Sequence, residues 1–147
     1  MSAEVKVHFK LDRDGGGYPP VAVESLWAAP GGSSQEYVID NIPFFARTAT
    51  IGDVVRVRRE GSEFWFVGLV RRSENSLLRV VFFDLSCVDN IGKDLLEMGC
   101  YTEYLHEYRI MAVSVPSEVK LVDVQVYLQL ETDAGRIDYE EPILRQR

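Results

Sequence analysis

The chain has 147 residues, 46% of them hydrophobic and 27% charged, which is ordinary for a folded globular protein and excludes extensive disorder. No apolar run approaches the roughly 18 to 20 residues that span a bilayer, and two cysteines, Cys87 and Cys100, are too few for a disulfide framework. The net charge of −7 is uneven: residues 1–75 hold nine Lys/Arg against ten Asp/Glu, and residues 76–147 hold seven against thirteen. An acidic second half argues against binding a phosphate backbone and permits rapid capture of a basic protein, with plain solubility as the competing reading of the excess charge. The first residues alternate and carry charge, so neither a leader nor an anchor is expected there, and a reduced cytoplasmic setting follows.

In the first half, Val5, Val7, Phe9 and Leu11 alternate with polar residues, the period of a strand with one wet face. RDGGGYPP is a loop; it leads into Pro-Pro rather than a helix, so it is no phosphate cradle. An extended segment follows from Val21 to Ala29, with Val21, Val23 and Trp27 expected inward. Tyr37 to Val57 then reads as a strand, a Pro-Phe-Phe turn and a Gly-Asp corner that launches another strand. Asn41, Pro43, Phe44, Phe45, Gly52 and Asp53 form this shape-defining motif, with Asn41 and Asp53 expected to accept from backbone donors at the turns. EGSE is a hairpin turn before FWFVGLV, where Gly68 marks a bulge or a close contact. Two of Phe64, Trp65 and Phe66 are expected inside a small barrel. Arg56, Arg58, Arg59, Arg71 and Arg72 make this the one locally basic region, a minor nucleic-acid candidate.

The second half reads β-α-β-β-α-β. SLLRVVFFD is a buried strand, and Ser86 with Asp89 resembles a capping box before a helix carrying Val88, Ile91, Leu95 and Met98, with Gly99 as its terminating glycine. Two strands follow, with a turn at His106-Glu107. Residues 117–131 give two answers: Val122, Val124, Val126, Leu128 and Leu130 alternate as in a strand, whereas Leu121, Val124 and Leu128 share a helix face. Length and the expected cap at Ser117 favour the helix. Arg136 to Glu141 is the last strand, ended by Pro142. The expected architecture is α+β: a small curled antiparallel β unit of SH3-like or OB-like character over residues 1–75, then a ferredoxin-like half over 76–147, together one compact folding unit.

The sequence holds no recognised nucleophile elbow, zinc helix, Walker loop or paired-cysteine site, so neither enzyme activity, a metal nor a cofactor is expected. Cys87, near a helix N-terminus where a thiol pKa falls, is the best nucleophile candidate, against the commoner buried structural cysteine. Glu103, Tyr104, Glu107, Tyr108, Asp138, Tyr139, Glu140 and Glu141 interleave acids with tyrosines, a composition suited to a partner-binding surface. A solvated acidic face and a carboxylate acid–base pair are the competing readings.

YPPVAVESLWA, YVIDNIPFFARTATIGDVV, FVGLV and the late Asp-Tyr-Glu-Glu resemble the bacterial family called domain of unknown function 4265, from about Val5 to Glu141. The Asn41-Ile42-Pro43-Phe44 turn with the Gly52-Asp53 corner carries the resemblance most specifically, whereas the valine-rich last helix departs from the family's Ala-rich pattern. Membership implies a small bacterial protein with no catalytic residues to carry over. By analogy of class, the expected function is an immunity protein that binds and inhibits a cognate secreted toxin through an acidic surface. The alternative is a small-molecule-sensing or regulatory domain with a ligand groove between the halves.

Overall fold

A computed structural model describes residues 4–146, and the chain divides into two compact units, one ending at Ser73 and one beginning at Glu74. The first unit is a five-stranded barrel of β1 (Val5–Lys10), β2 (Val23–Pro30), β3 (Glu36–Ile39), β4 (Val54–Glu60) and β5 (Glu63–Arg71), neighbours in chain order. Each consecutive pair is antiparallel. Because five is odd, an up-and-down meander closes only through a parallel pair, and β1 and β5 supply it, with Val7 opposite Phe64. Val7, Phe9, Leu26, Ala28, Ile39 and Val55 fill the interior, and Phe66 stacks on Phe9 at 4.6 Å.

The two-residue turn Gly61-Ser62 joins β4 to β5, and Gly61 takes the positive φ of 60° that such a turn needs. Gly68 sits at a bulge: opposite Arg56 stands Gly68, but opposite Val57 stands Phe66, leaving Val67 unpaired. A Cβ added at Gly68 would touch nothing, so the bulge and not close packing explains it. The alternation places Phe64 and Phe66 against the core and turns Trp65 outward beside His8.

β2 runs in the opposite phase to the one its apolar residues suggest. Leu26, Ala28 and the charged Glu24 are buried, whereas Val23 and Trp27 face out. Glu24 reverses the phase because its carboxylate accepts inward from the backbone amides of Phe44, Phe45 and Ala46, and Trp27 is covered outside by the Lys6 ammonium, 4.5 Å from its ring centroid.

The second unit is a four-stranded antiparallel sheet in the order β7-β8-β6-β9, with β6 (Ser76–Phe82), β7 (Tyr101–Leu105), β8 (Ile110–Val115) and β9 (Ile137–Ile143). Helix α1 (Val88–Glu97) crosses between β6 and β7, and α2 (Leu121–Asp133) between β8 and β9, the split β-α-β order expected from the pattern. Leu78, Val80, Met111 and Val113 of the sheet form a core with Ile91 and Leu95 of α1 and Val124 and Leu128 of α2. Gly99 ends α1 at φ 103° and admits the close approach of Val119.

Three local expectations differ. The cap before α1 is Asp84, whose carboxylate accepts from the Ser86 amide at 3.0 Å and the Ser86 hydroxyl at 2.6 Å; Ser86 serves it rather than capping. Its 3-10 turn, Leu85–Cys87, displaces the helix start to Val88. Ser117 is not the cap of α2, whose N-cap is Lys120; the Ser117 hydroxyl turns instead to Glu118. Finally, β9 runs through Pro142. Leu77 pairs with Ile143 and Arg79 with Glu140, so Glu141 and Pro142 together oppose one residue. A bulge on an edge strand asks no ladder bond of the proline.

Candidate interaction surface

The eight acids and tyrosines singled out from the sequence do not form one patch. β7 and β9 are opposite edges of the sheet, separated by β8 and β6. Tyr104 and Tyr139 turn to the helix side and pack on the core; Tyr104 meets Phe82 edge-on at 5.9 Å. Burial and nearby carboxylates raise the Tyr139 phenol pKa. Glu107 and Tyr108 lie in a 3-10 turn, His106–Tyr108, that ends with Arg109 in the left-handed region. Asp138 is exposed, and Glu141 accepts from Gln125 of α2 at 3.0 Å.

The register assigns Glu103 and Glu140 another relationship. Glu103 pairs with Ala112, Ala112 with Arg79, and Arg79 with Glu140, so the four stand in one row across the sheet. Arg79 is 2% exposed and its Nη1 lies 3.4 Å from a Glu140 carboxylate oxygen. A buried guanidinium needs compensating charge, and Glu140 supplies some of it. This arginine sits inside an otherwise apolar strand run, which is the signal that sequence reasoning passed over.

Cys87 has its pKa raised, opposite to the expectation. Burial is the larger cause, and the Asp84 carboxylate is the second, because it accepts from the thiol and repels a thiolate. The intervening 3-10 turn puts that carboxylate beside the sulfur. Burial also pushes the Cys100 thiol up to about 11. Across the helices, the Tyr127 hydroxyl donates to Asp94 at 2.6 Å, and burial with that carboxylate raises its pKa. Among the described residues, no group of three His, Cys, Asp or Glu is placed to hold a metal.

In the barrel, His8 pairs across strands with Ser25, Nδ1 to Oγ at 2.6 Å, while its Nε2 lies 3.5 Å from Glu63. Serine, histidine and glutamate recur in acyl-transfer sites, but those also need oxyanion donors in a concave site. Here Ser25 lies in the middle of a paired strand on the outer barrel face. Three of the five hairpin arginines are held locally, Arg58 by Glu60, Arg56 by Glu36 at 3.7 Å, and Arg59 by the Gly61 carbonyl. That pairing leaves the exposed Arg71 and Arg72 of the five, fewer than the clustered cations a phosphate backbone needs. A cleft of about 240 Å³ beside Tyr18, Phe45 and Arg47 is smaller than most small-molecule pockets.

The surface that stands out is the outer side of α2. Val122, Val126 and Leu130 recur every four residues and are 58%, 56% and 64% exposed. They form a second apolar stripe, opposite the buried Leu121, Val124 and Leu128. Two apolar faces on one helix produce the alternation that also read as a strand, so the signal was present in the sequence as an ambiguity. The helix carries Asp123, Glu131 and Asp133 and no Lys or Arg. Beside Val122 opens a concavity of about 420 Å³, lined by Val119, Lys120, Gln125 and Gln146 among others.

A family model described as "Domain of unknown function (DUF4265)" matches residues 24–139. The chain belongs to the DUF4265 family. The matched span runs from Glu24 to Tyr139 and takes in the Asn41–Asp53 motif. A solved structure, described as a novel crystal structure of a hypothetical protein from Neisseria gonorrhoeae, has a similar fold, with a TM-score of 0.73 and 19% identity over 98% of this chain and 96% of that one. No curated protein matches the chain. No helix among the described residues is long and apolar enough to cross a membrane.

Proposed function

We propose that this DUF4265 chain is a non-catalytic protein-binding module working in the cytoplasm, and that it is most concretely an immunity protein that inhibits a cognate bacterial toxin. The observation that carries the binding reading is the outer face of α2, an exposed aliphatic stripe on a helix whose charges are all acidic. Exposed aliphatic side chains at regular spacing give no stability to the chain alone, and they are what a partner covers. The acidic second half supports electrostatic capture of a basic partner.

Co-expression with the product of the adjacent gene tests it. Protection of the host from that product, with a co-purifying complex whose association slows with added salt, is the expected result. A chain that protects against no neighbouring product and forms no complex overturns the reading.

A further inference from the structure

Resting on the binding-module reading, we infer that the outer face of α2 takes a cationic amphipathic helix of a partner protein. Val122, Val126 and Leu130 make a ridge about 12 Å long at a rise of 1.5 Å per residue, the i, i+4, i+8 row that packs into the groove of another helix. The concavity beside Val122 receives an apolar anchor at one end of that ridge.

Charge selects the occupant. Glu131 is held by Arg136 at 2.9 Å, and Asp133 accepts from the Gln129 side-chain amide at 2.9 Å, but neither Asp123 nor Asp133 has an ion-pair partner among the described residues. Asp133 also stands at the C-terminal end of α2, where a carboxylate opposes the helix dipole, and no basic residue occupies the last turn. Asp123, in the first turn, suits the helix dipole, so Asp133 alone is unfavourable to the free helix; both carboxylates are complementary to lysines and arginines flanking the apolar stripe of a partner. A second copy fits less well, since it would set Asp123 and Asp133 of one helix against those of the other, with a single lysine, the N-cap Lys120, at the start of each helix to offset them. A membrane surface fits poorly too, because helices that lie on anionic lipid carry Lys and Arg on their polar face. An added strand has no edge to pair with on a helix.

The test uses the full chain and three labelled peptides of about 18 residues, read by fluorescence anisotropy: an amphipathic Leu/Lys helix, the same pattern in Leu/Glu, and a scrambled Leu/Lys sequence. The Leu/Lys helix is expected to bind, at least tenfold more weakly to Val126→Gln/Leu130→Gln and with a shallower salt dependence on Asp123→Asn/Asp133→Asn. Circular dichroism establishes that the variants stay folded. No binding of the Leu/Lys helix, equal binding of the scrambled peptide, preference for Leu/Glu, or a dimer that Val126→Gln/Leu130→Gln dissolves each overturns the inference. If Val126→Gln/Leu130→Gln still protects against the adjacent product, this docking face fails while the binding-module reading stands. If the unaltered chain protects against nothing and forms no complex, that reading fails whatever the peptides do.

Discussion

The carboxylate of Glu24 in β2 holds the backbone of Ala46, twenty-two residues further on, by a 2.7 Å hydrogen bond. The same carboxylate accepts from the amides of Phe44 at 2.6 Å and Phe45 at 3.0 Å, so one side chain fixes the Pro-Phe-Phe turn. Asn41 and Asp53 complete the corner, accepting from the amides of Trp27 and of Thr50 and Ser73 respectively. Glu24→Gln replaces one acceptor oxygen with a donor that faces these amides. It is expected to destabilise the barrel by about 3 kcal/mol in urea unfolding, since buried donors left unpaired cost their full desolvation. A loss below 0.5 kcal/mol would show that the turn holds itself.

Arg79 and Glu140 are unequal partners. The arginine is 2% exposed, but the glutamate side chain is 39% exposed and water takes part of its charge. Arg79→Ala is therefore expected to cost about 3 kcal/mol and Glu140→Gln about 1 kcal/mol. Equal losses in denaturant unfolding would contradict the asymmetry.

Two glycines with positive φ separate backbone strain from steric clash. Gly61 has φ 60° and open space at its Cβ position, whereas Gly99 has φ 103° and would put a Cβ 2.8 Å from Val119. Gly61→Ala is expected to lower stability by about 1 kcal/mol and Gly99→Ala by at least about 2 kcal/mol. The comparison of their melting temperatures checks the order.

Cys100 makes stability pH-dependent at the alkaline end. Its folded pKa is raised to about 11 from 9.0, so the folded state keeps a proton that the unfolded state releases. The contribution is fully present below about pH 9 and is lost as pH rises toward 11, about 2–3 kcal/mol in all. Relative to Cys100→Ala, the unaltered chain should lose stability between pH 8.5 and pH 10.5, measured by urea titration at each pH. Parallel profiles for the two proteins would contradict this.

At the end of α2, Asp133→Lys puts a cation where the helix dipole favours one. It is expected to raise stability by about 0.3–1 kcal/mol while weakening capture of a cationic helix. A thermal melt and the anisotropy assay together check both signs.

The order of elements and the two sheet types were legible in the sequence. Alternation in Val5–Leu11, the Gly61-Ser62 turn and the Ile91–Leu95 spacing are local, and backbone sterics with one buried face determine them. The Asn41–Asp53 corner was legible only in part: Asp53 bonds the nearby Thr50 amide as expected, but Asn41 accepts from Trp27 in β2 rather than at the turn, and Asp53 also accepts from the distant Ser73. What only the tertiary structure decided are the charges placed inward. Glu24 faces the core because amides twenty residues later need an acceptor, and Arg79 stands in an apolar strand beside a glutamate brought by β9. No local period encodes either, since each depends on a long-range register. The two edges that keep the Glu103 and Asp138 groups apart, and the outward turn of Val122, Val126 and Leu130, were settled likewise. A helix shows two apolar stripes in its sequence, and only its packing against the sheet chooses which one is buried.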